Sequence, residues 1–83
     1  MRFIYFASVR EAIGLDGEER DVPASLHSVQ DCLDWLQQCD SRYATAFANP
    51  ARLRFALDQQ MVNADAQLAG HSELAIFPPV TGG

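Results

Sequence analysis

Two apolar runs rich in strand-forming residues stand at opposite ends of this 83-residue chain. The first is Arg2–Ala7, in which Arg2 is followed by Phe-Ile-Tyr-Phe-Ala, and the last is Leu74–Phe77, which reads Leu-Ala-Ile-Phe. Continuous apolar runs of this length are typical of strands that are buried on both faces of a sheet. We therefore expect the two runs to pair side by side in the middle of one sheet, although nearly the whole chain separates them.

Helical periodicity is clear in one segment, from Val29 to Asp40. Ser28 before it is a good N-cap residue, and Asp31 three residues later approximates a capping box. Apolar residues recur in this segment at spacings of three and four, which places them on one face of a helix. They are Val29, Cys32, Leu33, Leu36 and Cys39.

Shorter segments complete the predicted order of elements. They are a helical turn over 8–14, a weak edge strand over 18–23, a short helix over 40–49, strands over 53–57, 60–62 and 73–77, and a loop over 63–70 with Leu68 turned inward. Strands that open and close a chain around one main helix predict an α+β fold of the β-grasp, or ubiquitin-like, type. In this fold a mixed sheet is covered on one face by the helix. We assign residues 1–77 to this domain and residues 78–83 to a flexible tail.

Composition and charge narrow the class of partner. A chain of this length forms a single domain, and 48% hydrophobic and 20% charged residues are ordinary for a folded one. A formal net charge of −5 disfavours nucleic acid and anionic membranes as partners and favours a partner with a basic surface. No apolar run approaches the ~20 residues of a membrane span, and the N-terminus lacks the layout of a signal peptide. We expect a cytoplasmic protein.

The cysteines and histidines of the sequence do not form the pattern of a disulfide or of a metal site. Cys32 and Cys39 lie ~10.5 Å apart along a helix, too far for a disulfide. An iron–sulfur centre needs four cysteines, and His27 and His71 show no zinc-ligand spacing with them. We predict that both cysteines are buried small apolar residues, that His71 is a solvated loop residue, and that the chain binds no metal.

The last seven residues combine a strand end with a narrow terminus. Phe77 is followed by Pro-Pro-Val-Thr-Gly-Gly, and proline cannot donate to a sheet ladder, so pairing should end near Pro78. Six extended residues reach roughly 20 Å, and two terminal glycines suit a narrow slot on another protein. Pro78, Pro79, Val80, Thr81 and Gly82 are the residues predicted to insert. The alternative is a terminal segment without function.

The chemistry of such a tail is confined to the carboxylate of Gly83. With a pKa of about 3.5 it is ionised at neutral pH and resists nucleophilic attack. It must first be activated by a partner, most simply as an acyl-adenylate made from ATP. Sulfide would then give a thiocarboxylate and an amine would give an amide, and the residues alone leave both outcomes open.

The segment Phe77–Gly83 closely resembles the C-terminus of the molybdopterin synthase small subunit family, which are ubiquitin-like sulfur carriers. The segment Phe6–Gly14 is similar to the family pattern of Phe-Ala, Arg-Glu and Gly, and Leu68–Leu74 is similar to its Leu-x-x-Gly-Asp-Glu-Val. The sequence departs from the family pattern at turn positions. We expect these departures to affect the geometry of the turns and not the function. His71 and Ser72 stand where Asp is expected, and Asp58 stands where Asn is common.

The resemblance implies a route for sulfur. An E1-like adenylyltransferase would activate Gly83 with ATP, and a sulfur donor such as a cysteine desulfurase or a rhodanese-like protein would supply sulfur. The tail would then insert into the large subunit of molybdopterin synthase and donate sulfur to cyclic pyranopterin monophosphate. The chain itself binds no cofactor, and the active site lies on the large subunit. The docking surface would be an apolar sheet face near the tail, where we place Phe6 and Phe77, with a plain core role as their alternative.

Three other functions remain open. A sulfur carrier for thiazole synthesis also ends in Gly-Gly, although it lacks the Phe-Pro-Pro segment. A protein modifier of the ubiquitin type would form conjugates through Gly83. An inert β-grasp binding module would tolerate the loss of Gly83.

Overall fold

The computed structural model describes residues 1–79, and the elements in this range follow the predicted order. In chain order they are β1 (Arg2–Tyr5), α1 (Ala7–Ile13), β2 (Gly17–Glu19), α2 (Val29–Cys39), α3 (Ser41–Ala46), β3 (Arg54–Leu57), β4 (Gln60–Val62) and β5 (Glu73–Phe77), with a 3₁₀ helix over Pro50–Arg52 before β3. Within these residues no helix has the length and apolarity needed to cross a lipid bilayer.

The five strands form one mixed sheet in the order β2-β1-β5-β3-β4. The first and last strands are parallel neighbours, with Phe3 opposite Leu74 and Tyr5 opposite Ile76. This confirms the pairing predicted from the two apolar runs. On its other side β5 pairs with β3 in the antiparallel direction, so β5 occupies the centre of the sheet. The architecture is the predicted α+β β-grasp.

The hydrophobic core lies between one face of the sheet and the helices. The strands contribute alternate residues to it, and α1, α2 and α3 contribute their apolar faces. Its largest fully buried side chains are Tyr5, Tyr43, Phe3, Phe47, Ile13, Leu33, Leu36, Leu57, Leu74, Ile76, Val9 and Val29.

The prediction that the first run is buried on both faces was wrong. In β1, Phe3 and Tyr5 are buried, whereas Arg2 is exposed and Ile4 is half-buried. The reason is that the helices pack against only one face of the sheet. The run also ends earlier than predicted, because the chain enters α1 at Ala7.

Helix α2 confirms the predicted cap. The Ser28 hydroxyl accepts from the Asp31 N–H at 3.1 Å, and the Asp31 carboxylate accepts in return from the Ser28 N–H at 3.1 Å. Cys39 is exposed, so its predicted burial was wrong. It points in nearly the same direction as the buried Cys32, seven residues earlier, but it is the last residue of α2, so its exposure reflects the end of the helix.

The sheet edges are short. Strand β2 is at the edge, as predicted, but it ends at Glu19 and does not reach position 23. Glu19 pairs with Arg2 at the start of β1, and beyond it Arg20 still exchanges backbone hydrogen bonds with Met1, the first residue of the chain, so the pairing ends there. Strands β3 and β4 are joined by Asp58 and Gln59, whose φ angles of 48° and 71° suit a two-residue hairpin turn. Leu68 is buried, as predicted.

Candidate functional site

The tail leaves the domain from the end of the central strand. Phe77, the last residue of β5, is opposite Arg54 of β3, and pairing ends there as predicted from the two prolines. Pro78 and Pro79 are half-buried, and Pro78 lines a shallow groove between the start of α1 and the segment from α3 to the 3₁₀ helix. We call Phe77–Pro79 the tail root.

The remaining residues predicted to insert, Val80, Thr81, Gly82 and Gly83, lie outside the described residues. The structure therefore bears on where the tail starts and on what surrounds its root. The division into a domain over 1–77 and a tail over 78–83 stays a prediction.

Phe6 and Phe77 meet beside the tail root. Their ring centroids are 6.1 Å apart and their planes are nearly perpendicular, at 87°, an edge-to-face arrangement that favours aromatic pairing. Phe6 is 49% exposed and Phe77 is half-buried, and neither belongs to the buried core cluster. The alternative that these residues are plain core residues is therefore not supported.

The aromatic pair belongs to an apolar sheet face of the kind that the resemblance implied, but its other residues were not predicted from the sequence. Ile4 is opposite Ala75, Ala75 is opposite Ala56, and Ala56 is opposite Met61, so these residues form one row across four strands. They lie on the sheet face that the helices leave uncovered, and Met61 is 63% exposed. Strict alternation of side chains along each strand was the signal that could have found them. The open apolar face consists of Ile4, Phe6, Ala56, Met61, Ala75 and Phe77.

A constrained turn fixes the position of Phe6. Ala7 has a φ angle of 51°, in the left-handed region, which costs about 1–2 kcal/mol for a residue with a Cβ atom. The backbone N–H of Phe6 donates to the carbonyl of Ile76 at 3.4 Å, which ties the turn to β5. The turn thus places an aromatic ring beside the tail root.

A polar cluster on the helix side of the sheet was not expected from the sequence. The hydroxyls of Tyr5 and Tyr43 both donate to the same Glu18 carboxylate oxygen, the first at 2.7 Å. Burial, and then the bond to Glu18, raises the pKa of Tyr5 above its ordinary range. The guanidinium of Arg20 donates to Tyr43 and stacks 5.0 Å from the Trp35 ring centroid. This cluster ties the edge strand β2 to β1 and α3, on the helix side of the sheet.

The turn positions that depart from the family pattern contact one another. The Asp58 carboxylate accepts from the backbone N–H groups of Ser72 at 3.1 Å and Glu73 at 3.0 Å, and lies 2.9 Å from Nδ1 of His71. The bond with His71, followed by that with Ser72, lowers the pKa of Asp58. His71 is exposed, as predicted, but it also has this partner. The group lies at the opposite end of β5 from the tail root and holds two turns together.

The two cysteines differ in their surroundings, and the described residues place no metal-binding cluster around them. Cys32 is buried, as predicted, and burial raises the pKa of its thiol to about 11, which keeps it protonated. Cys39 is exposed at the end of α2. Among residues 1–79 there is no group of three or more histidine, cysteine or acidic residues placed to hold a metal ion.

Fold and surface together define the class of this protein as a ubiquitin-like β-grasp domain with an apolar sheet face beside a tail that leaves the central strand. The ThiS family matches residues 3–83, nearly the whole chain, and this chain belongs to that family. The resemblance found in the sequence is confirmed at this level.

Two relatives extend the match over full length. The molybdopterin synthase sulfur carrier subunit of Escherichia coli K12 is 35% identical over 83 residues, which is 100% of this chain and 99% of the relative. The subunit of the same name from Haemophilus influenzae is 31% identical over 84 residues, again 100% of this chain and 99% of the relative. Among solved structures, small archaeal modifier protein 1 of H. volcanii has a TM-score of 0.72 at 26% identity and covers 96% of this chain and 97% of that chain.

Proposed function

We propose that this chain is the sulfur carrier subunit of a molybdopterin synthase and that Gly83 carries the sulfur as a thiocarboxylate. The observation that carries the proposal is the full-length match to two relatives named molybdopterin synthase sulfur carrier subunit. The open apolar face and the tail root support it, because a carrier needs a docking surface and a projecting terminus. The function thus resides in the tail and the surface around its root.

The activation step follows from the chemistry of a carboxylate. An oxygen of the Gly83 carboxylate attacks the α-phosphorus of ATP, and pyrophosphate leaves, which gives an acyl-adenylate. A sulfur nucleophile from the donor then attacks the carbonyl carbon, and AMP leaves with the bonding electrons. Where the attacking sulfur is a persulfide of the donor, a thiol then attacks the donor-side sulfur and breaks the S–S bond, which leaves a disulfide on the donor. The other product is the thiocarboxylate of Gly83, a soft nucleophile that can attack cyclic pyranopterin monophosphate.

The partner supplies the catalytic groups in this proposal. An E1-like adenylyltransferase holds ATP, a cysteine desulfurase or rhodanese-like protein supplies sulfur, and the large synthase subunit holds the pterin substrate. This chain contributes the reacting terminus and the surface that positions it. No cofactor binds to the chain itself.

Docking in this proposal uses the open apolar face. Phe6 and Phe77 stand at its tail end, so a partner that covers them also receives the tail root. Burial of an exposed aromatic side chain is a strong source of binding energy at an interface. Val80, Thr81 and Gly82 then continue into the slot that ends at Gly83.

The test removes Gly83 and measures sulfur transfer. The truncated chain should fold normally and form no thiocarboxylate with the activating enzyme, because its new terminus stops one residue short. Thiocarboxylate is read on a thiol-retarding gel, and molybdopterin formation is assayed with the large subunit. A matched control, Gly70→Ala, changes a glycine far from the tail and should affect turn stability alone, since Gly70 has a φ angle of 83°.

Full sulfur transfer by the truncated chain would overturn the carrier function. A truncated chain that unfolds is separated from this outcome by its melting temperature and its far-ultraviolet circular dichroism. Transfer from the wild-type thiocarboxylate to a thiazole precursor, with none to the pterin, would instead assign the chain to thiazole synthesis.

A second candidate is protein modification, favoured by the likeness to small archaeal modifier protein 1. The same acyl-adenylate would then react with an amine of a target protein and form an amide. Conjugates of higher mass that contain this chain, detected in cells and lost on deletion of Gly83, would support this function.

A further inference from the structure

Charge is distributed unevenly over this acidic chain. The chain has six arginines against eleven acidic residues. The groove beside the tail root is lined by Ser8, Thr45, Ala46, Ala48, Asn49, Arg52, Leu53 and Pro78, which include one arginine and no acidic residue. The surface beside the tail root is therefore less acidic than the net charge of −5 suggests.

Two of these arginines flank the tail root directly. Arg54 is opposite Phe77 in the β3–β5 ladder, and Arg52 lines the groove that Pro78 also lines. Between them Leu53 is buried, and the two arginines line separate grooves that both include Leu53. The two side chains therefore lie on either side of Leu53, on the β3 side of the tail root.

Both side chains are available to a partner. Arg52 and Arg54 are exposed, and neither belongs to an ion pair among the residues that the structure describes. The guanidinium of Arg54 is already positioned, because it donates to the backbone carbonyl of Leu53 at 2.9 Å and to that of Ala51 at 3.4 Å. A donor held by carbonyls keeps its charge and loses less side-chain entropy on binding.

Distance decides which anion these arginines meet. If the tail enters a slot in extended form, the five residues from Pro79 to Gly83 place the reacting carbon about 17 Å from the root. An arginine side chain at the root does not span that distance, so the phosphate of an acyl-adenylate is out of reach. Carboxylates around the mouth of the slot lie at the right depth.

We propose that Arg52 and Arg54 form a basic clamp at the tail root that pairs with acidic side chains around the tail-binding slot of the partner. This inference rests on the proposed function, because it assumes that a partner receives the tail. The clamp orients the carrier so that the tail points into the slot, while the open apolar face supplies contact area. The relevant partner surface is thus acidic at the slot, contrary to the basic surface that the net charge favours.

The experiment reverses the clamp charges with the double variant Arg52→Glu, Arg54→Glu. Binding to the large synthase subunit and to the adenylating enzyme is measured by titration calorimetry at about 0.05 M and about 0.5 M salt. We expect binding to weaken about tenfold or more at low salt for at least one of the two partners. The difference should shrink at high salt, because the screening length falls from ~10 Å at 0.1 M to ~3 Å at 1 M.

A matched control is Arg2→Glu, which reverses an exposed arginine at the opposite end of β1. It should leave binding within about twofold of wild type, because it is far from the tail root. The neutral variant Arg52→Gln, Arg54→Gln should give a smaller loss than the double reversal and keeps the test valid if the reversal unfolds the domain. Equal binding of wild type and both clamp variants to both partners would overturn the clamp.

The two proposals fail in different ways. If wild type forms no thiocarboxylate and binds neither partner, the proposed function fails and the clamp fails with it. If the wild-type chain forms the thiocarboxylate and binds both partners, and the clamp variants bind equally well, only the clamp is wrong. The charge-reversed carrier can also be tested against a partner in which one acidic residue at the mouth of the slot is changed to Lys. Restored binding would identify that residue as the one that pairs with the clamp.

Discussion

At the scale of single residues, Asp58 joins two turns that lie far apart in the sequence. Its carboxylate accepts from two backbone N–H groups at the start of β5 and pairs with His71. His71 and Ser72 depart from the family pattern on one side of this contact, and Asp58 departs on the other. The residues that depart from the pattern therefore contact one another in the fold.

Asp58→Asn should lower stability in a pH-dependent way. Because its folded pKa lies below the ordinary value, ionised Asp58 stabilises the fold above about pH 4, and this is lost as pH falls through the folded pKa. Asn keeps an acceptor for the backbone N–H groups but has no charge. The melting temperature of wild type should exceed that of the variant at pH 6, and the difference should shrink as the pH falls through the folded pKa of Asp58.

A control for this measurement is Asp65→Asn, which removes an exposed carboxylate from a loop. A gap between wild type and Asp58→Asn that stays constant from pH 6 to pH 2 would show that the charge of Asp58 contributes nothing.

Substitution of Gly82 should slow the sulfur carrier by steric hindrance, whereas deletion of Gly83 removes the reacting group. A side chain at position 82 touches the walls of a narrow slot or excludes positive φ, whereas the terminal carboxylate keeps its chemistry. Gly82→Ala should fold normally, but it should form the thiocarboxylate or transfer its sulfur more slowly than wild type. Gly82→Val should be slower still. Thiocarboxylate yield and sulfur transfer are read separately on a thiol-retarding gel. Wild-type rates for Gly82→Val would mean that no narrow slot exists.

At the scale of elements, α2 combines a polar start with an apolar stripe. Reciprocal bonds between Ser28 and Asp31 satisfy backbone groups at its first turn, and Val29, Cys32, Leu33 and Leu36 are buried against the sheet. The helix thus contributes both a local signal and much of the core. Its stability depends more on this packing than on helix propensity, since eleven residues make a marginal helix alone.

Leu36→Ala should destabilise the domain by about 2–5 kcal/mol, because Leu36 is fully buried and its removal leaves a cavity. That is a large part of the roughly 5–15 kcal/mol typical of whole domains. Urea denaturation monitored through Trp35 fluorescence measures the change. Gln38→Ala, on the exposed face of the same helix, should change stability by less than about 0.5 kcal/mol. A similar small change for Leu36→Ala would show that this face of α2 is not core.

At the scale of the whole molecule, the two faces of the sheet differ in what covers them. One face builds the core with three helices, and the other presents the open apolar face between a network of turns at one end and the tail root at the other. Strand β5 connects the two ends, since Asp58 holds its start and the two prolines follow its last residue. In the proposed function, the terminus that reaches a partner thus follows directly from the central strand of the sheet.

The sequence by itself determined the order of elements along the chain, the α2 cap and the position where pairing ends, because these follow from local signals. Apolar runs, a Ser-x-x-Asp spacing and Pro78-Pro79 act on their own neighbours in the chain. The chemistry proposed for Gly83 stays a prediction, since residues 80–83 lie outside the described residues.

Only the tertiary structure decided which sheet face the helices cover, and the prediction that the first run is buried on both faces failed on that choice. The tertiary structure also left Met61 outside the core, exposed Cys39 at the end of α2, and brought Glu18 within hydrogen-bond distance of Tyr5 and Tyr43. It also gathered arginines from an acidic chain around the tail root. Each of these results depends on contacts between distant segments, and a linear sequence does not state which of its residues will become neighbours.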